Sequence, residues 1–401
     1  MNKKRILMIV SNFYPNGSIV EAKNNYLTML ELQKGGFDVD VCTFESKEKY
    51  PNNVKYQIKR KNKFFSKQNR YYNFFRKKIK LPLLFVEFLY VDDFLDKLNR
   101  VNISQYSYIY TVFGDGSEHI VGVKLKEKYK HLKHIAEFRD PWIHNVIGKK
   151  YFFDHSLQLY ANYKWKELKK SQQKLMYSID VLLVESDLHG EKLKNDFNYT
   201  KEIFFCNGFS ELFENNIPTL NIYFENNPII GFIGSTYYGY DDVANIFIEV
   251  LEELEEEGSC FTFISVGKNH FSKLIQTSKL KNFYSFEKVP YFKALSFMKK
   301  IDIGLALIMQ SYEQNINSKI FEYMQHDVFT IAIAPKNGAM DKILTPNHLG
   351  IILSYEKKEM KKKMKILLQE KQNFQIKKYK IEPFNRKNVF KPIINAMKDL
   401  V

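Results

Sequence analysis

Residues 6–44 read ILMIV-SNFYPNG-SIVEAKNNYLTMLELQK-GG-FDVDVCTF, and this stretch decides the fold. Residues 6–10 are a short unbroken apolar run, as expected of a strand buried on both faces. The polar loop 11–17 leads to Ser18 and Glu21, whose S-x-x-E spacing is a capping box that opens a helix. Gly35 and Gly36 end that helix, and residues 37–44 return as a second strand. A strand, a crossover helix and a strand make the repeating unit of a parallel sheet.

The same alternation runs outward along the chain. Further strands are expected at 108–112, 134–138, 181–185 and 203–206. Near 215–228 the pattern breaks into a polar stretch with Pro218 and Pro228, which reads as a linker. A second series then begins, with strands at 229–233, 261–266, 303–308 and 328–332 and helices at 241–257, 291–300 and 318–325. Within 241–257, Val243, Phe247, Val250 and Leu254 form one apolar stripe. The expected fold class is α/β, with two Rossmann-like parallel-sheet domains at 1–217 and 218–380. A final helix at 381–401 is expected to cross back to the first domain.

A chain of 401 residues, 45% of them hydrophobic, buries a core without staples. Cys42, Cys206 and Cys260 lie far apart with no C-x-x-C spacing, which argues against disulfides, structural zinc and a redox centre. The first apolar run is too short for a signal peptide. The run 81–91, interrupted by Glu87, is too short to span a bilayer. A cytoplasmic protein is expected.

The net charge is +16, and between Lys49 and Val86 twelve Lys or Arg and nine aromatics occur with no acidic residue. Lys59, Arg60, Lys61 and Lys63 lie within this segment. Basic residues mixed with aromatics suit an anionic membrane surface or a nucleic acid, and a plain solvated face is the third reading. A second basic cluster, 357–380, has a helical pattern with scattered acids and reads as a solvated face.

Four places set Gly or small polar residues between a strand and a helix, where backbone N–H groups can meet an anion. They are Asn16-Gly17-Ser18, Gly234-Ser235-Thr236, Gly267-Lys268-Asn269 and Asn317-Ser318-Lys319. None is a G-x-G-x-x-G or a Walker loop, which argues against dehydrogenases and P-loop NTPases. The most specific continues as Ile320-Phe321-Glu322-Tyr323-Met324. Ser318 can cap the helix, a diphosphate bound at its start would meet Lys319, and Glu322 could accept hydrogen bonds from both ribose hydroxyls; taken singly, the loop also reads as a tight turn and Glu322 as a solvated helical residue. The D-x-D at Asp38 and Asp40 falls inside a strand, and no metal-ligand spacing appears, so no metal and no cofactor beyond the substrate are expected.

These motifs resemble the family-4 retaining glycosyltransferases of the GT-B fold, over nearly the whole chain. Residues 36–41, GFDVDV, are similar to the family's G-H-x-V-x-V second strand. Arg139-Asp140-Pro141-Trp142 resembles the R-D-P-W segment of a bacterial branch, and Cys206-Asn207-Gly208-Phe209 a P-N-G-F/V-D turn. Residues 318–324 match the S/G-K-x-F-E-Y-L/M donor helix. The resemblance implies a cleft with the nucleotide on the second domain and the acceptor on the first. It implies that Glu322 holds the ribose, that Lys319 and the backbone of Ser318 to Ile320 approach the diphosphate, and that Gly17 faces it from the first domain. Gly234 and Ser235 would line the same donor site.

Three positions depart from the pattern. Gln314 stands where the family has an acidic residue, the Arg and Lys after the first strand of the second domain are replaced by Lys268 or Lys319, and Arg139-Asp140 replace a histidine. Arg139 and Asp140 are the candidate catalytic pair, Asp140 for acceptor positioning or proton removal, or else as an Asp before Pro that caps a turn. Trp142 either stacks on an acceptor or fills the core. The expected activity is a hexosyltransferase-type glycosyltransferase. It would use a UDP- or GDP-linked sugar and a glycan or lipid-linked acceptor in surface-polysaccharide, lipopolysaccharide or capsule synthesis, peripheral on the inner membrane face. The alternatives are a GT-B sugar-nucleotide epimerase and a basic nucleic-acid-binding protein.

Overall fold

A computed structural model of the chain describes residues 4–15, 19–59, 90–113, 116–139, 142–143, 149, 153–154, 158–224, 228–236, 240–369, 374 and 378–400. The contacts divide it into Met1–Cys206 with Phe390–Val401, and Asn207–Val389. The division therefore falls before the polar stretch read as a linker. The reason is burial: Leu220 and Phe224 of that stretch pack against Ile233, Ile264 and Val266, in the core of the second unit.

The first unit holds β1 (Arg5–Ile9), α1 (Ile19–Lys34), β2 (Asp38–Phe44), β3 (Val54–Ile58), α2 (Val91–Leu98), β4 (Tyr108–Val112) and α3 (Ser117–Lys128). It continues with β5 (Lys133–Phe138), α4 (Gln158–Ser178), β6 (Val181–Val184), α5 (Asp187–Phe197) and β7 (Ile203–Phe205). All described strands pair in parallel in the order β3-β2-β1-β4-β5-β6-β7, with Ile6 beside Val39 on one side and Tyr108 on the other. The apolar run of β1 is fully enclosed, as a central parallel strand requires. The D-x-D is structural: Asp40 is buried, 2.5 Å from Arg5 Nη2, and accepts the Tyr106 hydroxyl at 2.7 Å.

Part of the basic aromatic segment also serves the fold. Tyr50 donates to the Phe44 carbonyl at 2.9 Å, and the hydroxyls of Tyr56 on β3 and Tyr106 lie 2.8 Å apart. Lys59 is exposed; Arg60, Lys61 and Lys63 lie outside the described residues, as does the Ser18 of the expected capping box.

The second unit holds β8 (Ile229–Ile233), α6 (Asp241–Glu256), β9 (Thr262–Val266), α7 (Phe271–Leu274), β10 (Phe283–Phe286), α8 (Tyr291–Met298) and β11 (Ile303–Leu307). Then come α9 (Lys319–Gln325), β12 (Phe329–Ile333), α10 (Ala339–Leu344), β13 (Gly350–Leu353), α11 (Lys357–Gln369) and α12 (Lys378–Ile381). Its strands, again parallel, run β10-β9-β8-β11-β12-β13. The stripe Phe247, Val250 and Leu254 on α6 is buried against this sheet. On its outer side Glu249, Glu253 and Glu257 pair with Lys357, Lys361 and Lys365 of α11, so these three lysines of the second basic cluster form a paired face. The last helix, α13 (Arg386–Asp399), contains the division between the units. Its Met397 carbonyl accepts the Tyr108 hydroxyl at 2.7 Å within the first unit. Among the described residues no helix is long and apolar enough to cross a membrane.

A chain of buried polar groups crosses the first unit. Thr111 Oγ1 lies 2.7 Å from His119 Nδ1 and 2.9 Å from His134 Nε2, and His134 Nδ1 lies 3.0 Å from Ser178 Oγ. Burial drives both histidines below their ordinary pKa. His134 falls to about 3; nearby Lys126 and Lys201 push it further down, against an upward push from Asp180. Between pH 6.5 and 3 the unfolded chain takes up a proton that folded His134 refuses, so stability falls as pH falls through that window. The loss from His134 is about 2 kcal/mol between pH 6.5 and 5. Melting temperature is expected to drop from pH 7 to pH 5, and more steeply in the wild type than in His134→Gln; equal slopes contradict this.

Candidate functional site

In an open parallel sheet a ligand binds outside the carboxyl ends of the strands, at the point where the strand order reverses. In the second unit that point lies between β8 and β11, where Gly231 sits beside Gly304. Gly304 brings the next helix close: a Cβ there would meet the Tyr323 ring at 2.5 Å. The Tyr323 hydroxyl donates to the Leu305 carbonyl at 3.2 Å, holding α9 against β11. Ile320, Phe321 and Met324 are buried, which turns Lys319 and Glu322, one helical turn apart, to another face of α9.

Gly234, at the end of β8, has φ +135° and meets Lys319 directly. A Cβ there would lie 2.3 Å from Lys319 Cε, so only glycine lets the lysine stem lie along the backbone. The ammonium sits 5.2 Å from the centre of the Phe232 ring. Among the described residues Lys319 has no carboxylate within ion-pair distance. Burial lowers its pKa, partly offset by the charge of Glu322. A cation drawn from water with no direct counter-ion is costly, and an anion brought beside it would offset that cost.

Asn269 ties the surrounding loops together. Its side chain accepts the Ser265 hydroxyl at 2.8 Å and donates to the carbonyls of Gly234 at 3.0 Å and Gly267 at 3.2 Å. Ser235 and Lys268 are exposed on these loops. Glu322, partly buried, accepts the Tyr291 hydroxyl on Oε1 at 2.7 Å. Gln314 is buried, on the loop that leads to α9. Ile320 is fully enclosed, and its N–H already donates to the Asn317 carbonyl at 3.1 Å.

The expected cap is corrected. Ser318 already has helical dihedrals and its hydroxyl does not bond the helix; Asn317 Oδ1 accepts the Lys319 N–H instead, at 3.2 Å. Asn317 Nδ2 donates to the Leu307 carbonyl at 3.3 Å, anchoring the helix start to β11.

In the first unit the order reverses between β1 and β4, where the Ser11 hydroxyl bonds the buried Glu118 of α3. At the end of β5, Glu137 accepts Arg139 Nε and the Tyr110 hydroxyl, each at 2.5 Å. Arg139 is thereby neutralised within the fold; Nη1 reaches the Glu21 carbonyl at 3.4 Å, and buried Nη2 has no hydrogen-bond partner among the described residues. Gly17 and Asp140 lie outside the described residues. Trp142 is 3% exposed and packs on Phe113 and Phe138 at ring distances of 5.4 and 6.3 Å. Of its two readings, the core one holds, and it is no exposed platform for an acceptor. Among the described residues no three His, Cys, Asp or Glu come together as a metal site needs.

No protein-family model matches the chain, and no curated protein matches it in sequence. Solved structures match it in fold. A sucrose-phosphate synthase from Thermosynechococcus elongatus has a TM-score of 0.64 at 13% identity, covering 99% of this chain and 98% of that one. A UDP-forming α,α-trehalose-phosphate synthase from Burkholderia xenovorans has a TM-score of 0.67 at 10% identity, covering 99% of each chain. A putative UDP-N-acetylglucosamine 2-epimerase from Listeria monocytogenes has a TM-score of 0.60 at 11% identity, covering 99% of this chain and 96% of that one. The likeness is one of fold: two Rossmann-like parallel-sheet domains, the GT-B class.

Proposed function

We propose that the chain is a glycosyltransferase, similar to family 4 and its R-D-P-W branch, that moves a sugar from a UDP- or GDP-linked donor to a glycan or lipid-linked acceptor. The observation that carries this reading is Lys319: a cation with no ion-pair partner among the described residues, lying on Gly234, with Glu322 one turn along the same helix. Lys319 would hold the diphosphate and take up the charge that grows on it as the sugar leaves. Glu322 would hold the ribose. Asp140 would position the acceptor or remove its proton, and the anomeric configuration would be retained. The sucrose-phosphate and trehalose-phosphate synthases of the same fold support sugar transfer.

We place the acceptor on the first unit and the protein on the cytoplasmic face of a membrane, in surface-polysaccharide synthesis. Besides the segment around Lys59, one face of α4 supports this placement. Leu159, Tyr163 and Tyr177 are 87%, 58% and 74% exposed there, and Lys166, Lys170 and Lys174 lie between them on the side away from buried Trp165, Leu168 and Leu175. Mixed lysines and amphipathic rings favour an anionic bilayer.

A thermal-shift panel of nucleotide sugars tests the donor site, and nucleotide release tests the reaction. Release that requires an added glycan or lipid-linked acceptor is expected. Conversion of the free nucleotide sugar without acceptor supports the epimerase reading instead, which the Listeria neighbour favours.

Activity is expected to persist in EDTA, since Lys319 supplies leaving-group charge without a metal. Abolition by EDTA with recovery in Mg²⁺ or Mn²⁺ contradicts this.

A further inference from the structure

The Glu322 carboxylate is held from a neighbouring helix. Tyr291 opens α8 directly after Pro290, and its hydroxyl donates to Glu322 Oε1 at 2.7 Å. Beyond the other end of α8, Lys299 pairs at 2.6 Å with Glu214, which also lies 3.4 Å from His326 Nδ1, just past the end of α9. The two helices are therefore tied at two points, and the hydroxyl–carboxylate bond is one of them. Burial and the charge of Glu322 push the Tyr291 hydroxyl well above its ordinary pKa. Tyr291 thus keeps its proton and stays a donor at neutral pH.

We propose that Tyr291 is a positioning residue for nucleotide recognition, aiming the Glu322 carboxylate at the two vicinal hydroxyls of a ribose. The inference rests on the donor site proposed above. A carboxylate has about four acceptor positions, and the tyrosine bond occupies one of them and restrains the rotation of the group. A cis-diol needs two acceptors at a set spacing, so a carboxylate already restrained in orientation loses less rotamer freedom on binding. The consequence is selectivity: the hydroxyl of Tyr291 matters to ligands that carry the diol and is indifferent to those that lack it.

The test is calorimetric titration of the full chain with UDP, GDP and their 2′,3′-dideoxy counterparts, in wild type, Tyr291→Phe, Glu322→Gln and the double variant. The wild type is expected to favour a ribonucleotide over its dideoxy form by about tenfold or more. Tyr291→Phe is expected to cut that preference about fivefold, with dideoxy affinity unchanged. The double variant is expected to be no weaker than Glu322→Gln alone, because both act through one carboxylate. If Tyr291→Phe weakens both nucleotide forms equally, or keeps the full preference, the positioning role is overturned and the donor site stands. If the wild type has no ribonucleotide preference, or Glu322→Gln leaves it intact, the ribose assignment of the donor site falls and the inference with it.

Discussion

Replacing Glu322 with alanine is expected to leave both units folded and to weaken nucleotide-sugar binding by about ten- to a hundredfold. A charged hydrogen-bonding group in a closed site is worth about 1.5 to 3 kcal/mol, and each 1.4 kcal/mol is a factor of ten. Lys319→Ala is expected to weaken binding to a similar degree, through the diphosphate. The two variants should differ in the ligand-free protein. Removing Glu322 strips the partly buried Tyr291 hydroxyl of its 2.7 Å acceptor, so that variant is expected to melt lower by an amount equivalent to about 1 kcal/mol. Removing Lys319 takes away a partly buried cation that has no ion-pair partner among the described residues, and its melting temperature should hold or rise. Lost affinity without lost stability in Lys319→Ala is the signature of a side chain kept for a ligand. Wild-type affinity in both variants contradicts the donor-site assignment.

That site was legible in part because its features are local. Lys319 and Glu322 lie one turn apart on a helix whose apolar residues mark its buried face, and Gly234 ends a strand that is apolar throughout. The bonds that Asn269, on one of the four loops, and Tyr291 make were not legible. Their partners Gly234 and Glu322 are 35 and 31 residues away, and only the sheet order brings them together. The strands divide on the same principle. Central β1, β4, β8 and β11 are covered on both faces and read as apolar runs, whereas β3, β10 and β13 escaped. All three are edge strands: β3 alternates Lys55 and Gln57 with apolar residues, and β10 and β13 have four residues each. The burial of Leu220 and Phe224 within the stretch read as a linker was hidden for a related reason. The stretch's Asn, Glu and Pro residues set the composition, while burial falls on Leu220 and Phe224, too sparse to make a periodic signal.

Changing Lys59, Arg60, Lys61 and Lys63 together to glutamate is expected to abolish binding to anionic vesicles, a loss of at least about a hundredfold. Each basic residue near an anionic surface contributes up to about 1 kcal/mol, and reversal replaces attraction with repulsion. The wild type should bind more tightly as the anionic lipid fraction rises and less tightly as salt shortens the Debye length from about 10 Å at 0.1 M. Donor affinity should stay as in the wild type, because Gly234, Lys319 and Glu322 all belong to the second unit and Lys59 to the first. A second variant, Lys166, Lys170 and Lys174 to glutamate, separates the two basic regions. These lysines lie on α4, whereas Lys59 directly follows β3, the edge strand. If only the α4 variant detaches, the bilayer is met through that helix and the segment at 59–63 is a solvated face. Equal binding of the wild type to neutral and anionic vesicles contradicts an electrostatic membrane contact at either place, since neither set of lysines would then meet an opposing charge.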